Sequence, residues 1–205
     1  MIAERITTAA RRVPTWAVYG LGLLPIPWLF WLAATGGLGF EPIEALEHRL
    51  GELALQLVVV GLAISPLRTW TGVNLLKFRR AIGVLTFTYV AAHLLVWLVL
   101  DVQLLSQIWA DILKRPYITV GMVSFVIMVP LAVTSNDWSV RKLGARWRVL
   151  HKAVYAAAVL GAVHYVMLAK GFQIEPLVYL AAILGLLALR LVPRRRTART
   201  RRATA

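Results

Sequence analysis

Four histidines and no cysteine set the chemistry open to this 205-residue chain. The missing thiols exclude disulfides, iron–sulfur clusters, thiolate-ligated haem and cysteine zinc sites. Three of the histidines, His93, His151 and His164, lie inside long apolar runs. An ionisable side chain is costly there and marks a functional site by default. His93 falls 13 residues after Arg80 and His164 falls 16 residues after Arg148, about 20 and 24 Å along their helices at 1.5 Å per residue. Both helices start from a basic segment, so the two imidazoles are expected at similar depth, in the half of the membrane away from that segment. Two neutral imidazoles facing each other across a bundle core supply the axial ligands of a six-coordinate haem iron. The same residues taken singly would also serve as hydrogen-bonding groups between helices. Zinc would ask for a third ligand, and no Asp or Glu is placed at that depth.

His151 precedes His164 by 13 residues on the same run, about 20 Å nearer the basic side. The residue at its level on the His93 helix is Arg80, so His151 has no histidine partner. On an ideal helix the two histidines stand about 140° apart, and they share a face only where the helix is distorted, with Gly161 the candidate position. His48 follows Glu44 and Glu47 at the far end of another run; a structural role is the first expectation, with an interfacial pH-sensitive or quinone-proximal role next and iron ligation behind both.

The elements that must hold these residues follow from composition. Hydrophobic residues make up 60% of the chain and charged residues 16%, with a mean hydropathy of +0.72; a soluble domain has about 45–50% and 25%. Lipid must be the solvent, which excludes a soluble enzyme. Six apolar runs, near 16–34, 53–67, 81–100, 117–134, 149–168 and 176–191, approach the roughly 20 residues a helix needs to cross a bilayer. The expectation is an all-α polytopic membrane protein, a six-transmembrane-helix bundle over 16–192, with a segment 1–15 before it and a basic tail 193–205 after it. Pro25 and Pro27 predict a kink in the first helix.

The net charge of +14 sits in short stretches between the runs and in the tail. That is the positive-inside pattern and not a nucleic-acid footprint. With the N-terminus in the cytoplasm, Arg49, Lys114, Arg115 and Lys170 lie outside and the other nineteen of the 23 Lys and Arg lie inside, so both termini are expected to be cytoplasmic. Arg79, Arg80, Arg146 and Arg148 would then crowd the inner helix ends, as anchors or as partners for haem propionates or a flavin phosphate. Trp97 and Tyr165, beside histidines, could line a haem edge or simply pack. No dinucleotide or P-loop motif is present, so electrons must enter from a quinol or a separate reductase. A stand-alone transmembrane ferric or quinone reductase is the main rival to an electron relay, and a transporter using the histidines as a proton relay is the second.

The segments Glu44-Ala-Leu-Glu-His48-Arg-Leu-Gly51, Arg79-Arg80-Ala-Ile-Gly83, His93-Leu-Leu, Arg115-Pro-Tyr117, Leu143-Gly-Ala-Arg-Trp147-Arg-Val-Leu-His151-Lys-Ala-Val-Tyr155 and His164-Tyr165 resemble the MsrQ family, formerly YedZ. The likeness runs from about position 40 to the last span, and the tryptophan-to-histidine stretch is its most specific part. The family belongs to the ferric-reductase-like transmembrane group, which includes the NADPH oxidases. The resemblance implies a haem b membrane subunit of the bacterial inner membrane that feeds MsrP, a periplasmic molybdopterin enzyme reducing methionine sulfoxide in oxidised proteins. It is thus an electron-transfer subunit and not the catalytic one. Electrons would come from the quinone pool, with FMN and a cytosolic flavin reductase also associated with the family. The family's haem histidines fall on His93, His151 and His164, with one or two haems and His93–His164 the best-matched pair. The oxidases carry two histidines on each of two helices, whereas this chain has one on the third span, so His151 would ligate a five-coordinate haem, take another kind of partner, or exchange with His164 as the ligand opposite His93.

Overall fold

The computed structural model describes residues 2–169 and 171–192, and all regular structure among them is helical. The tail at 193–205 and Lys170, both used in the orientation argument, lie outside the described residues. The elements are α1 (Ile2–Arg12), α2 (Thr15–Leu23), α3 (Pro25–Ala34), α4 (Pro42–Thr71), α5 (Arg79–Val96), α6 (Leu105–Lys114), α7 (Pro116–Val133), α8 (Asp137–Leu143), α9 (Ala145–Leu150), α10 (Val154–Leu168) and α11 (Ile174–Ala188). Five helical stretches are long and apolar enough to cross a membrane: Thr15–Ala34, Pro42–Thr71, Leu76–Val102, Pro116–Val133 and Ala145–Leu168. The sixth apolar run is α11, of 15 residues, about 22 Å of rise against a hydrocarbon core of about 30 Å. The chain is a multi-pass helical membrane protein.

Several boundaries depart from the apolar runs for identifiable reasons. The first span breaks after Leu23, where Pro25 starts α3 at its first position; Leu24 keeps helical angles, so the two helices meet as a bend. The second begins eleven residues earlier than its apolar run, at Pro42. Its polar first turns are held by pairs along one face, such as Arg49–Glu52 at 3.1 Å. The third continues from α5 into a π-helical turn at Trp97–Val102.

α4 packs along α5 and α7 along α10, while α11 closes against α10 and α4. Leu46, Leu50 and Ala54 of α4 meet Tyr89 and Val96 of α5. Leu55 and Leu62 meet Ala158, Ala162 and Ile183 on the other side. Small residues let helices approach where lipid offers no hydrophobic drive to associate, and the Ser124 hydroxyl donates to the Ala157 carbonyl at 2.9 Å between α7 and α10. α1 is tied to the α4–α5 connection: Asn74 N–H donates to Thr7 Oγ1 at 3.1 Å and Lys77 Nζ to the Arg11 carbonyl at 2.9 Å.

Pro66 lies buried inside α4 and has no N–H for the carbonyl four residues back. That carbonyl, on Leu62, accepts instead from Arg190 Nη2 at 2.6 Å, and Nη1 donates to the Tyr155 hydroxyl at 3.1 Å. The guanidinium replaces the missing amide in a medium where an orphaned carbonyl is expensive. Arg190→Met is expected to lower stability by about 1–3 kcal/mol. Adding Pro66→Ala should recover part of the loss, because residue 66 regains its N–H. Thermal unfolding of the two single variants and the double variant checks this, and strict additivity would show that the two groups do not share the carbonyl.

Candidate haem site

α5 and α10, 71 residues apart at the critical positions, bring His93 and His164 together with ring centroids 6.2 Å apart and planes inclined by 77°. Neither ring is held by its own helix. His93 Nδ1 lies 2.9 Å from the Glu47 carbonyl of α4, and His164 Nδ1 lies 2.7 Å from the Tyr117 carbonyl of α7. A carbonyl oxygen only accepts, so each Nδ1 carries the proton and donates it. Each Nε2 is left with its lone pair, the tautomer a metal ligand needs.

The two anchors are built the same way. Glu47 and Tyr117 are each followed four residues later by glycine, Gly51 and Gly121. A helical carbonyl has a second lone pair beyond the one its own helix uses, and the glycine clears the space through which an imidazole reaches it. A Cβ on Gly51 would stand 3.3 Å from His93 Nδ1, and one on Gly121 would stand 2.8 Å from His164 Nδ1. The Tyr117 ring also flanks His164, with centroids 6.1 Å apart. The Glu47 Oε1 atom lies 4.0 Å from His93 Nε2, so a carboxylate does stand at the level of the pair, where the apolar runs gave none, because α4 begins before its apolar run and brings its polar first turns alongside α5.

Two imidazoles on opposite sides of one metal ion, with metal–nitrogen bonds of about 2.0–2.1 Å, have ring centres about 6 Å apart. The observed separation and the two free Nε2 lone pairs fit a bis-histidine haem iron. Among the described residues no group of three or more His, Cys, Asp or Glu side chains gathers to hold a metal ion, so the donor set here is a pair of nitrogens.

His151 is not brought to this pair. Its ring stacks on Trp147 at 3.9 Å, and its Nε2 is 3.0 Å from Thr134 Oγ1. The Thr134 hydroxyl spends its proton on the Pro130 carbonyl at 2.6 Å, so His151 Nε2 donates and the lone pair falls on Nδ1. Trp147 Nε1 donates to the Thr134 carbonyl at 2.9 Å, making Trp147, Thr134 and His151 one polar unit. The helix distortion expected near Gly161 lies instead at His151–Ala153, a 3₁₀ turn between α9 and α10. Gly161 stays inside regular helix, where a Cβ would meet Ser124 Oγ at 3.7 Å. Arg80, the residue expected opposite His151, forms an ion pair with Asp137 at 2.6 Å. That guanidinium holds the Asp137 carboxyl below the usual carboxylate range. Trp97 is buried in packing, and Tyr165 faces Tyr179 with centroids 6.1 Å apart. His48 is exposed on α4.

An all-helical bundle with a histidine pair clamped between four helices defines a ferric-reductase-like membrane component, and residues 50–162 match the family described as ferric reductase like transmembrane component. Among curated proteins, the chain is 50% identical over 178 residues to a protein-methionine-sulfoxide reductase heme-binding subunit MsrQ of Agrobacterium fabrum, covering 86% of this chain and 83% of that protein. Proteins with the same description from Brucella anthropi and Brucella ovis are 46% and 48% identical over 178 and 177 residues, covering 86% of this chain and 81% and 80% of theirs. The chain belongs to the MsrQ family. No solved structure matches it.

Proposed function

We propose that this chain is the haem b subunit of a methionine-sulfoxide reductase system, carrying electrons from the quinone pool, or from a flavin reductase, across the inner membrane to periplasmic MsrP. The observation that carries this reading is the His93–His164 pair: 6.2 Å between ring centroids, with each Nδ1 fixed to a carbonyl of a different helix. The names of the relatives supply the subunit's setting. Residues 16–192 form the haem domain, with α11 completing a sixth crossing and both termini on the cytoplasmic side. The basic ends of α5 and α10 face inward, which puts the pair in the outer half of the membrane, toward the partner.

In this scheme haem, when bound, supplies a one-electron carrier, and the protein supplies its setting. Glu47 and Tyr117 orient the two imidazoles and fix their protons at Nδ1. α4 and α7 keep those carbonyls rigid, and the apolar bundle excludes water. His151, on the inner side, is the candidate ligand of a second haem, after giving up its contact with Thr134.

The test is anaerobic. The protein is purified with haem, reduced chemically and freed of reductant. The ferrous spectrum should persist until purified MsrP and a methionine-sulfoxide peptide are both added, then return to ferric. Rapid oxidation by a ferric chelate at a higher rate than by MsrP would favour a stand-alone ferric reductase and overturn the relay. A pyridine haemochrome assay on the parent and on His151→Ala gives the haem count: two falling to one places a haem at His151, and an unchanged value of one leaves the His93–His164 haem alone.

A further inference from the structure

We infer that the polar cluster formed by Glu52, Gln56 and Tyr179, with Tyr165 behind it, is the place where a quinol docks from the bilayer and is oxidised. Gln56 lies in the otherwise apolar run 53–67 of α4 and is exposed, so its amide is turned to lipid. Polar groups in that position are costly and call for a partner. Its Nε2 donates to Glu52 Oε1 and to the Tyr179 hydroxyl, both at 3.2 Å. Glu52 also receives Arg49 Nη1 at 3.1 Å and keeps 24% of its side chain exposed. A carboxylate has about four lone-pair sites, so Glu52 can still accept, and Tyr179, having accepted from Gln56, still has its own O–H to donate. One acceptor and one donor, reachable from lipid, match the two oxygens of a benzoquinol or naphthoquinol head.

The cluster also flanks the histidine pair. Gly51, next to Glu52, is the residue whose Cβ would meet His93 Nδ1 at 3.3 Å. Tyr165 follows His164 in the chain, and its ring lies 6.1 Å from that of Tyr179. Glu175, in the first turn of α11 and four residues before Tyr179, adds a second carboxylate on that helix. A quinol oxidised here loses two O–H protons and two electrons. Glu52 accepts the protons in turn and releases them to outer water, and the two electrons leave one at a time toward the His93–His164 site, where haem, if bound, would serve as the one-electron acceptor. The oxidised quinone returns to lipid. This inference rests on the quinone-fed relay proposed above.

The test uses the haem-loaded protein in lipid nanodiscs with decylubiquinol and decylubiquinone as probes. Binding of the oxidised form is read by quenching of tryptophan fluorescence, and haem reduction by the quinol is read in a stopped-flow spectrometer. Tyr179→Phe should weaken quinone binding about tenfold, the loss expected from one hydrogen bond, and Gln56→Leu should weaken it about threefold, because it removes the bond that aims the Tyr179 hydroxyl. Glu52→Gln should bind within about threefold of the parent yet slow quinol-driven haem reduction at least about tenfold, because the proton acceptor is gone. All three variants should keep the parent's dithionite-reduced spectrum. If quinol reduces the parent and these variants equally well, the site is elsewhere and the relay reading stands. If quinol fails to reduce the parent while dithionite succeeds, the quinone-fed reading itself falls, and this inference with it. Loss of a dimer in the variants, with quinone binding unchanged, would make the patch a contact between copies and overturn the proposal.

Discussion

His93→Ala and His164→Ala, purified in parallel with the parent, are each expected to retain less than about a tenth of its haem by pyridine haemochrome. The pair is the reason. The imidazoles stand 6.2 Å apart between centroids, and they are held by carbonyls of two further helices, α4 for His93 and α7 for His164. Removing either ring leaves one nitrogen donor facing a methyl group, and α5 carries no second histidine to take its place. The effect should be local. Both side chains are partly enclosed and not part of the two apolar clusters that join the helices, so helix content and elution volume should stay with the parent. His151→Ala should keep the spectral signature of the pair, because its ring is bound to Thr134 and Trp147. A His93→Ala protein with full haem stoichiometry and an unshifted Soret band would remove the basis of the site.

The second large effect is expected from a single methyl group. In Gly121→Ala the new Cβ would stand 2.8 Å from His164 Nδ1, 3.1 Å from Cε1 and 3.2 Å from Cγ. Those are ring atoms pinned by the 2.7 Å bond to the Tyr117 carbonyl, so the ring cannot turn aside without losing its orienting partner. Loss of such a partner typically costs 10–100-fold in metal affinity, and about that fall in haem affinity is expected, with a shifted Soret band. Gly51→Ala is the milder case. Its Cβ would stand 3.3 Å from His93 Nδ1, a gap that a shift of a few tenths of an ångström opens, and about a threefold fall is expected. Gly83→Ala on α5 serves as the control. Nothing lies within 4 Å of its Cβ, so it should leave haem content alone and stabilise the helix by about 0.5–1 kcal/mol. Haem titration of the three apo-proteins checks the order. Equal affinities across the series would show that the glycine notches do not position the rings.

The histidine pairing could be read from the chain because depth in a membrane helix is a linear quantity. Counting residues from Arg80 and Arg148 at a fixed rise placed His93 and His164 at one level, and the fold sets their rings side by side, edge to face, at 6.2 Å between centroids. The family likeness was legible in the stretch from Leu143 to Tyr155, which the comparisons bear out. The notches were not legible. Gly51 and Gly121 are ordinary small residues in apolar helices until the fold shows which imidazole each one faces, and the spacing of four from Glu47 and Tyr117 carries no signal without that partner. The distortion of the helix that carries His151 and His164 lies at His151–Ala153 and not at Gly161 for a related reason. Glycine is the usual suspect on propensity, but a tertiary contact from Thr134 and the stacking of Trp147 act at His151.

The cluster of Glu52, Gln56 and Tyr179 is an intermediate case. A glutamine inside an apolar run is visible in the sequence, yet its two partners lie one turn back and 123 residues on. The replacement of Pro66's missing amide by Arg190 is hidden in the same way, since the proline predicts an orphaned carbonyl and says nothing of what will fill it.

The sequence by itself determined the solvent, the helical class and the matching levels of His93 and His164 along their helices, because hydrophobic length and a rise of about 1.5 Å per residue are one-dimensional properties of the chain. The tertiary structure alone decided which nitrogen of each imidazole is free, which carbonyl holds the other, and that His151 is bound to Thr134 instead of a second histidine. Those outcomes depend on angles around helix axes and on contacts between helices far apart in sequence, and such contacts are fixed only when the bundle packs.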